Sequence, residues 1–412
     1  MPSKSKRVAK KKKEPVGFVI FLSIAVSILA ILQNRYGQFS DIRGFYGMHF
    51  SDGQHQWPFS VRTLLGTTEL RNPVEYPALT GLIMWLISFF VEPAQFAWVD
   101  YFRITASLHV VLYAITTYYI KVLAGRKWAI VFAISPAVLY SLNRNWDIWA
   151  IVAMIWAIYL FEKGKFRMSA VVLAVSVATK FFPIVLLFPI FIYFMRRKEF
   201  RTFVEYFLIT MGSWLLINLP FMIINFRGWS YFYEFSYKRG LGSASIFEVT
   251  GILGFGIPTW SILFYILNAL LFGGLGLYLW KSARNVPLTE SAFLTMFAFI
   301  LFNKQYSMQY VIWLAALAVL ALAHLSQKRQ FTMLYIYAIW QASELVFQYS
   351  FFQQILTNIN ANTATPASPQ ISSTTYAMTG IVRYTLAVLF TVLLAKYLYQ
   401  EKKSEPAIKS GS

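Results

Sequence analysis

Residues 4–32 read KSKRVAKKKKEPVGFVIFLSIAVSILAIL, a basic cluster followed directly by an apolar run. Similar apolar runs recur along the 412-residue chain. Runs of about 18–25 apolar residues are long enough to cross a hydrocarbon layer of about 30 Å. Because Lys and Arg mark the cytoplasmic ends of membrane helices, the segment predicts a first span with its N-terminus in the cytoplasm. No small-residue cleavage site follows it, so we expect the span to be retained.

The composition excludes an ordinary soluble domain. Hydrophobic residues make up 58% of the chain and charged residues only 13%, too few to cover the apolar surface of a soluble fold. The net charge of +20 is assigned to basic cytoplasmic loops, and no nucleic-acid partner is expected. The chain has no cysteine, which excludes disulfides, thiol catalysis and thiolate metal sites.

The apolar pattern predicts an all-α integral membrane protein, a polytopic helical bundle of about 10–13 membrane segments. The expected spans lie at 16–33, 103–121, 128–142, 147–161, 202–224, 258–280, 288–303, 308–325, 331–350 and 376–398. The stretch 167–195 is interrupted by Lys180 and Pro183 and has basic clusters at both ends. We therefore interpret it as a hairpin of two short helices whose tip lies on the outer side.

The charge distribution predicts one transmembrane domain with both termini in the cytoplasm of a cell-membrane protein. The parts are a basic tail (1–15), the membrane domain (16–400) and a second cytoplasmic tail (401–412). The informative segments fall on the outer side: the first loop (34–102) with an interfacial helix (77–92), and the loops 225–257 and 351–375.

Two carboxylates in the first outer loop are candidates for chemistry. Asp41 follows the first span, where a buried carboxylate would act as a general base; the alternatives are a solvated loop residue or the cap of a short helix that begins at Ile42. Glu75 and Tyr76 precede the interfacial helix, and an acidic residue is favoured at a helix N-terminus for purely structural reasons.

Charged residues inside or beside the membrane are costly and need a reason. Asp147 follows Asn145 and Trp146 at the start of a span, where a structural N-terminal charge is the alternative to a binding role. Lys180 lies within an apolar hairpin, so it either extends to the outer interface or binds an anion.

Further cations break the positive-inside trend. Lys238 and Arg239 lie in a glycine-containing outer loop that suits a phosphate, although a plain solvated loop fits as well. Lys304 precedes Gln309 and Tyr310 in another outer turn, and it is either a phosphate contact or an interface anchor.

No metal or nucleotide motif is recognised. His49 and His55 share the first loop with Asp52, but their spacing matches no metal site that we can identify. The chain has no Walker loop, GxGxxG, HExxH or GxSxG sequence. No cofactor is expected, and a divalent metal is not required.

Several short motifs together resemble a known family. In chain order they are Phe39-Ser40-Asp41-Ile42, Glu75-Tyr76-Pro77, Asn145-Trp146-Asp147, Thr179-Lys180-Phe181-Phe182-Pro183 and Asn303-Lys304 with Ser307-Met308-Gln309-Tyr310. Their order is similar to that of GT-C membrane glycosyltransferases, especially polyprenyl-phosphate-mannose-dependent mannosyltransferases of the phosphatidylinositol-mannoside and GPI type. The likeness runs from the first span to about Leu325.

The resemblance implies a sugar transfer on the outer face of the membrane. The donor would be a polyprenyl-phosphate-linked sugar, expected to be mannose, and the acceptor a glycolipid, glycan or protein. The family's catalytic aspartate falls on Asp41, which would act in a single inverting displacement. Candidates for binding the donor phosphate are Lys180, Lys238, Arg239 and Lys304. Candidates for binding the sugar or acceptor are Glu75, Tyr76, Asn145, Asp147, Gln309 and Tyr310.

Two other functions fit the same charges. A flippase or transporter of lipid-linked sugars would also bind a polar headgroup, but transporters place coupling charges near the bilayer midplane. Here most charges lie at one face, which favours an enzyme. A structural subunit of a larger complex would need no single indispensable carboxylate.

Overall fold

The computed structural model describes residues 17–37, 40–49, 74–240, 242, 244–256, 262–282, 286–361 and 371–404. Within these ranges the regular secondary structure is helical and no strand occurs, which confirms the predicted all-α class. The basic tail (1–15), residues 405–412 and a large part of the first loop, including His55, lie outside the described residues.

The described residues form seventeen α-helices and one 3-10 segment. The first eight are α1 (Gly17–Gln33), α2 (Asp41–His49), α3 (Ala78–Ser88), α4 (Ala97–Ala124), α5 (Arg126–Ala133), α6 (Pro136–Ser141), α7 (Asp147–Glu162) and α8 (Phe166–Thr179). After a 3-10 segment (Phe182–Leu186) come α9 (Leu187–Arg196), α10 (Phe200–Ile224), α11 (Phe226–Lys238), α12 (Ile246–Ile252), α13 (Ile262–Lys281), α14 (Leu288–Leu301), α15 (Tyr310–Leu322), α16 (Gln327–Ala361) and α17 (Ser373–Ser404).

In the part of the chain that the structure describes, three helices are long and apolar enough to cross a membrane: α4, α10 and the Ser373–Glu401 part of α17. Six shorter apolar helical stretches accompany them. Large apolar side chains on α10 point away from the protein, and Leu216 and Ile223 are 70% and 75% exposed. An outward apolar surface of this kind suits a lipid environment. The fold is therefore that of a polytopic α-helical membrane protein.

The core of the bundle is built around α15. Every residue of this helix is buried, as expected for a helix that is apolar on all sides. The long buried faces of α7 and α14 pack beside it. Helix α15 begins at Tyr310, so a fully buried helix directly follows the turn that contains Gln309.

The predicted single span at 128–142 is wrong, because the structure has two helices there, α5 and α6. Pro136 has no backbone N–H and restricts Ser135 before it to an extended conformation. The Tyr113 hydroxyl donates hydrogen bonds of 3.0 Å to the carbonyls of Phe132 and Ala133. The Phe132 carbonyl, which loses the proline donor, accepts from this hydroxyl together with the backbone N–H of Ser135 at 3.1 Å.

The predicted boundary between the span 331–350 and the outer loop 351–375 is also wrong. Helix α16 continues to Ala361. Phe352 is 8% exposed and its ring lies 6.4 Å from that of Tyr140. The apolar face of the helix therefore extends past the predicted boundary and packs against α6.

The stretch 167–195 breaks as Lys180 and Pro183 led us to expect. Helix α8 ends at Thr179, Lys180 is extended, and the chain continues through the 3-10 segment into α9. The predicted interfacial helix 77–92 corresponds to α3. Thr80 Oγ1 on α3 donates a 2.5 Å hydrogen bond to the carbonyl of Thr179, which fixes α3 next to Lys180.

Candidate active site

Asp41 is the first residue of α2, and its position is fixed by the turn between α6 and α7. The Asp41 backbone N–H donates a 2.8 Å hydrogen bond to the carbonyl of Arg144. Ser40 Oγ donates to the carbonyl of Asn143 at 2.6 Å and accepts from the backbone N–H of Ile42 at 3.3 Å. A capping serine and a distant turn therefore hold the carboxylate in place.

The turn 143–147 is itself tightly organised. The Asn143 side-chain oxygen lies 3.2 Å from Nδ1 of the buried His109. The Asn145 side-chain oxygen accepts from the backbone N–H of Asp147 at 3.0 Å. Trp146 packs edge-on against the rings of Phe45 and Tyr76, with centroid distances of 5.3 and 5.6 Å. The turn is therefore a scaffold for both α2 and the segment before α3.

Asp147 and Lys180 form a buried ion pair. The Lys180 Nζ lies 2.8 Å from Asp147 Oδ1, and the two side chains are 14% and 1% exposed. The other Asp147 oxygen accepts a 2.9 Å hydrogen bond from Trp313 Nε1. The same ammonium lies 4.7 Å from the centre of the Tyr76 ring. The ion pair therefore holds the Lys180 ammonium in position, and Lys180 and Trp313 supply the partners that a buried carboxylate needs.

Most of the predicted site residues line one cavity of about 740 Å³. These residues are Asp41, Glu75, Tyr76, Lys180, Arg239, Lys304, Gln309 and Tyr310. Residues that are far apart in the chain therefore meet around one space. Its apolar wall includes Phe232, Tyr233 and Phe235 of α11.

Three predicted residues do not line this cavity. Asn145 and Asp147 are 1% exposed and lie behind its wall. Lys238 forms an ion pair of 2.5 Å with Glu234 on the exposed face of α11. The geometry gives these residues supporting contacts, and their predicted binding roles stay predictions.

The loop with Arg239 is tied to the turn 303–309. Lys304 Nζ donates to the carbonyls of Tyr237 and Arg239 at 3.2 and 3.4 Å. The Gly242 N–H donates to the Lys304 carbonyl at 2.9 Å. With the Gln305 amide oriented to match its neighbours, its oxygen accepts from Arg239 Nε and from Gly242 N–H, both at 3.0 Å. Arg239 and Lys304 therefore belong to one connected unit.

A second, smaller cavity of about 380 Å³ lies on another side of Asp41. It shares Ser40, Asp41, Arg239, Gln305, Ser307 and Gln309 with the larger one. Its further wall is formed by Arg144 and by Phe351, Phe352 and Ile355 of α16. Arg144 lies between the rings of Tyr140 and Phe352, at 4.4 and 4.1 Å from their centres. Asp41 therefore lines both the larger and the smaller cavity.

The cavity residues that sequence reasoning missed had a detectable signal. Arg144 directly precedes the motif Asn145-Trp146-Asp147, and Gln305 directly follows Asn303-Lys304, so the position beside each motif was the available signal. Helix α11 reads FRGWSYFYEFSYK, an aromatic-rich segment too polar to span, and it lies in the predicted outer loop 225–257. Phe351 and Phe352 lie just beyond the predicted end of the span 331–350. Because α16 continues to Ala361, they belong to the helix and not to the predicted outer loop.

The electrostatics of the site favour a base that titrates near neutrality. Asp41 faces the cavity yet has protein around it, and this burial raises its pKa to about 6, against the opposing attraction of Lys180. Burial likewise raises the pKa of Glu75 above its usual range. Burial lowers the pKa of Lys304 below its usual range. Within the described residues, no group of three or more His, Asp or Glu side chains forms a metal-binding cluster.

Comparison with known proteins places the chain among the glycosyltransferases of membranes. The chain belongs to glycosyltransferase family 87, whose model matches residues 75–303, more than half of its length. It is also similar to GPI mannosyltransferase 1 of Eremothecium gossypii, with 24% identity over 262 residues. That match covers 59% of this chain and 64% of the relative, so the chain spans less than two thirds of the relative's length. The predicted resemblance to GT-C membrane glycosyltransferases is confirmed.

Proposed function

We propose that this glycosyltransferase moves a sugar, mannose, from a polyprenyl-phosphate donor to a hydroxyl group of a lipid, glycan or protein acceptor on the outer face of the membrane. The observation that supports this most strongly is the position of Asp41, which lies between a cavity with three cations and a second cavity. Family membership supports the sugar transfer, and the relative's name supports the choice of mannose.

The larger cavity suits the donor. A polyprenyl phosphate has an anionic headgroup and an apolar chain, and this cavity combines Lys180, Arg239 and Lys304 with aromatic side chains of α11. As the bond between the anomeric carbon and the phosphate oxygen breaks, negative charge develops on the phosphate. Preorganised cations stabilise such charge strongly in a site that excludes water. Glu75, Gln309 and Tyr310 lie where they would bind the sugar hydroxyls.

The smaller cavity suits the acceptor, because it reaches Asp41 from another direction. The acceptor hydroxyl oxygen attacks the anomeric carbon, and its proton passes to the Asp41 carboxylate. The electron pair of the broken bond leaves with the polyprenyl phosphate, which departs as a stable anion and needs no proton. A single displacement of this kind inverts the anomeric centre.

The transfer is tested with purified protein in lipid nanodiscs. Polyprenyl-phosphate-mannose and a membrane lipid extract are supplied, and both polyprenyl phosphate release and sugar incorporation are measured. We expect the two products in equal amounts, and a much slower reaction with a nucleotide-linked mannose. Movement of intact donor between the leaflets of sealed proteoliposomes, without cleavage, would instead identify a flippase. Absence of both activities would indicate a structural subunit.

The pKa of Asp41 predicts the pH dependence of the transfer. The base must be unprotonated, so kcat/KM for the acceptor should rise with pH through about 6 and level off about one unit above that value. A profile measured between about pH 5 and pH 8 checks this expectation. A rate that stays constant across that range, with the protein folded, would remove Asp41 as the titrating base.

A pair of adjacent substitutions tests the donor-phosphate assignment. Arg239→Gln should lower the transfer rate by about 10²-fold, the loss typical for one donor to a developing negative charge. Lys238→Gln removes the same charge one residue away, but Lys238 pairs with Glu234 outside the cavity, so the rate should change less than about twofold. Equal losses in both variants would mean that general loop charge matters, not a phosphate contact of Arg239.

A further inference from the structure

Helix α17 contacts the two polypeptide segments that hold Arg239 and Lys304, two of the three cations of the larger cavity. Arg383 donates a 3.0 Å hydrogen bond from Nη1 to the carbonyl of Tyr306, in the turn after Lys304. One residue further along, the Tyr384 hydroxyl donates to the carbonyl of Ala244 at 3.3 Å. Ala244 follows Arg239 on the other segment, so α17 forms a hydrogen bond to each of the two segments.

The backbone N–H of Ala244 also forms hydrogen bonds. This group donates to the Tyr376 hydroxyl at 3.1 Å and to the Glu248 carboxylate at 2.5 Å. The Tyr376 hydroxyl in turn donates to Glu248 at 2.8 Å. Both polar backbone groups of Ala244 are therefore bound, and two of the three partners are tyrosines of α17.

The backbone of Ala244 is in an unfavourable conformation. Its φ is +69°, in the left-handed region where a side chain with a Cβ crowds the following carbonyl. Such a residue persists where surrounding contacts hold it. The tyrosine contacts of α17 provide that restraint at Ala244, which lies between Arg239 and α12 in the sequence.

Helix α17 can approach this closely because of a glycine. A Cβ added at Gly380 would lie 2.5 Å from Val249 Cγ1 on α12. Only a residue without a side chain therefore allows α12, and the Ala244 segment before it, to lie this near to α17.

We propose that Tyr376 and Tyr384 are positioning residues for the donor phosphate: through Ala244 they hold Arg239 and the attached Lys304 at the spacing the phosphate needs. The inference rests on the proposed function, because it concerns the same larger cavity. It assigns a role to α17, which lies outside the residues that the family model matches.

The test measures binding of polyprenyl phosphate to the full-length protein in nanodiscs, together with the melting temperature. The double variant Tyr376→Phe with Tyr384→Phe removes only two hydroxyl groups. We expect its Kd to rise about tenfold, because a loss of affinity of that size corresponds to the weakening of a few hydrogen bonds. Tyr397→Phe, the same change near the other end of α17, is the matched control and should leave Kd unchanged.

A rescue separates positioning from general stability. Glycine adopts a positive φ without the Cβ penalty, so adding Ala244→Gly to the double variant should recover at least about half of the lost affinity. General destabilisation would instead lower the melting temperature of the double variant below that of the wild type and of Tyr397→Phe. The single variant Tyr384→Phe serves if the double variant does not fold.

Three results would overturn the inference. An unchanged Kd in the folded double variant rejects the role of α17, and so does a raised Kd that Ala244→Gly fails to lower. If the wild-type protein does not bind polyprenyl phosphate at all, the proposed function fails as well. Binding by the wild type with equal binding by the double variant rejects only the positioning role.

Discussion

Asp41→Asn should abolish sugar transfer while the protein still folds and inserts into the membrane. Asparagine has the same shape, but it cannot accept the acceptor's proton. A positioned general base contributes about 10²–10⁴-fold to a rate, so we expect a loss of at least about 10²-fold in polyprenyl phosphate release. The backbone hydrogen bond from residue 41 to Arg144 is independent of the side chain, and α2 should therefore remain in place.

The matched control for this substitution is Asp100→Asn. Asp100 is exposed on the first turn of α4, where it forms a surface ion pair with Arg103. Such a pair contributes little to stability, so this variant should transfer sugar at close to the wild-type rate. Near-normal transfer by Asp41→Asn would show that another group, or water alone, accepts the proton.

The second large effect is expected at a buried ion pair between α16 and α17. Arg383 Nε lies 2.8 Å from Glu344 Oε2, and neither side chain is exposed. The other Glu344 oxygen accepts hydrogen bonds from the Tyr306 hydroxyl and from Trp340 Nε1 at 2.9 and 3.0 Å. The Arg383 guanidinium also lies 3.6 Å from the centre of the Tyr306 ring. The pair therefore supports the turn that precedes Gln309.

Removing one partner of this pair should cost about 3–5 kcal/mol of stability, because it leaves an uncompensated charge in the protein interior. Glu344→Gln and Arg383→Met should therefore each lower the melting temperature markedly. The double variant removes both charges and should be less destabilised than the sum of the two single changes. Thermal unfolding of all four proteins in one detergent checks this, and strictly additive losses would show that the two charges are not coupled.

The sequence predicted the class of fold and many of the residues that line the larger cavity, because its signals there are local. Long apolar runs predict helices directly, and Lys180 with Pro183 predicts the break between α8 and the 3-10 segment. Asp41 stood out as a carboxylate at the end of an apolar span. For such residues the physical cause, a costly charge beside a membrane, is visible without the structure.

The sequence does not show in which direction a side chain points, or which distant residues it contacts. Lys238 and Arg239 are adjacent and carry the same charge. Lys238 still belongs to α11 and reaches back four residues to Glu234, whereas Arg239 has left the helix and faces the cavity. Sequence alone does not distinguish these two environments.

Glu344 and Arg383 are a different case, since they lie within the predicted spans 331–350 and 376–398. Charges inside a span are rare and usually paired, so this signal was available. Their partnership, however, joins α16 to α17 across residues 362–370, which lie outside the described ranges. Only the fold brings the two side chains together.

The sidedness of the site is the claim on which the proposed donor and acceptor depend, and cysteine labelling tests it most directly. The natural chain has no cysteine, so Lys238→Cys and Arg197→Cys variants each contain a single reactive thiol. Both positions are exposed. A membrane-impermeant maleimide added to intact cells should label the Lys238→Cys variant at once and the Arg197→Cys variant only after permeabilisation. Labelling of Arg197→Cys in intact cells, with Lys238→Cys protected, would contradict an outward-facing site and the sugar transfer proposed for it.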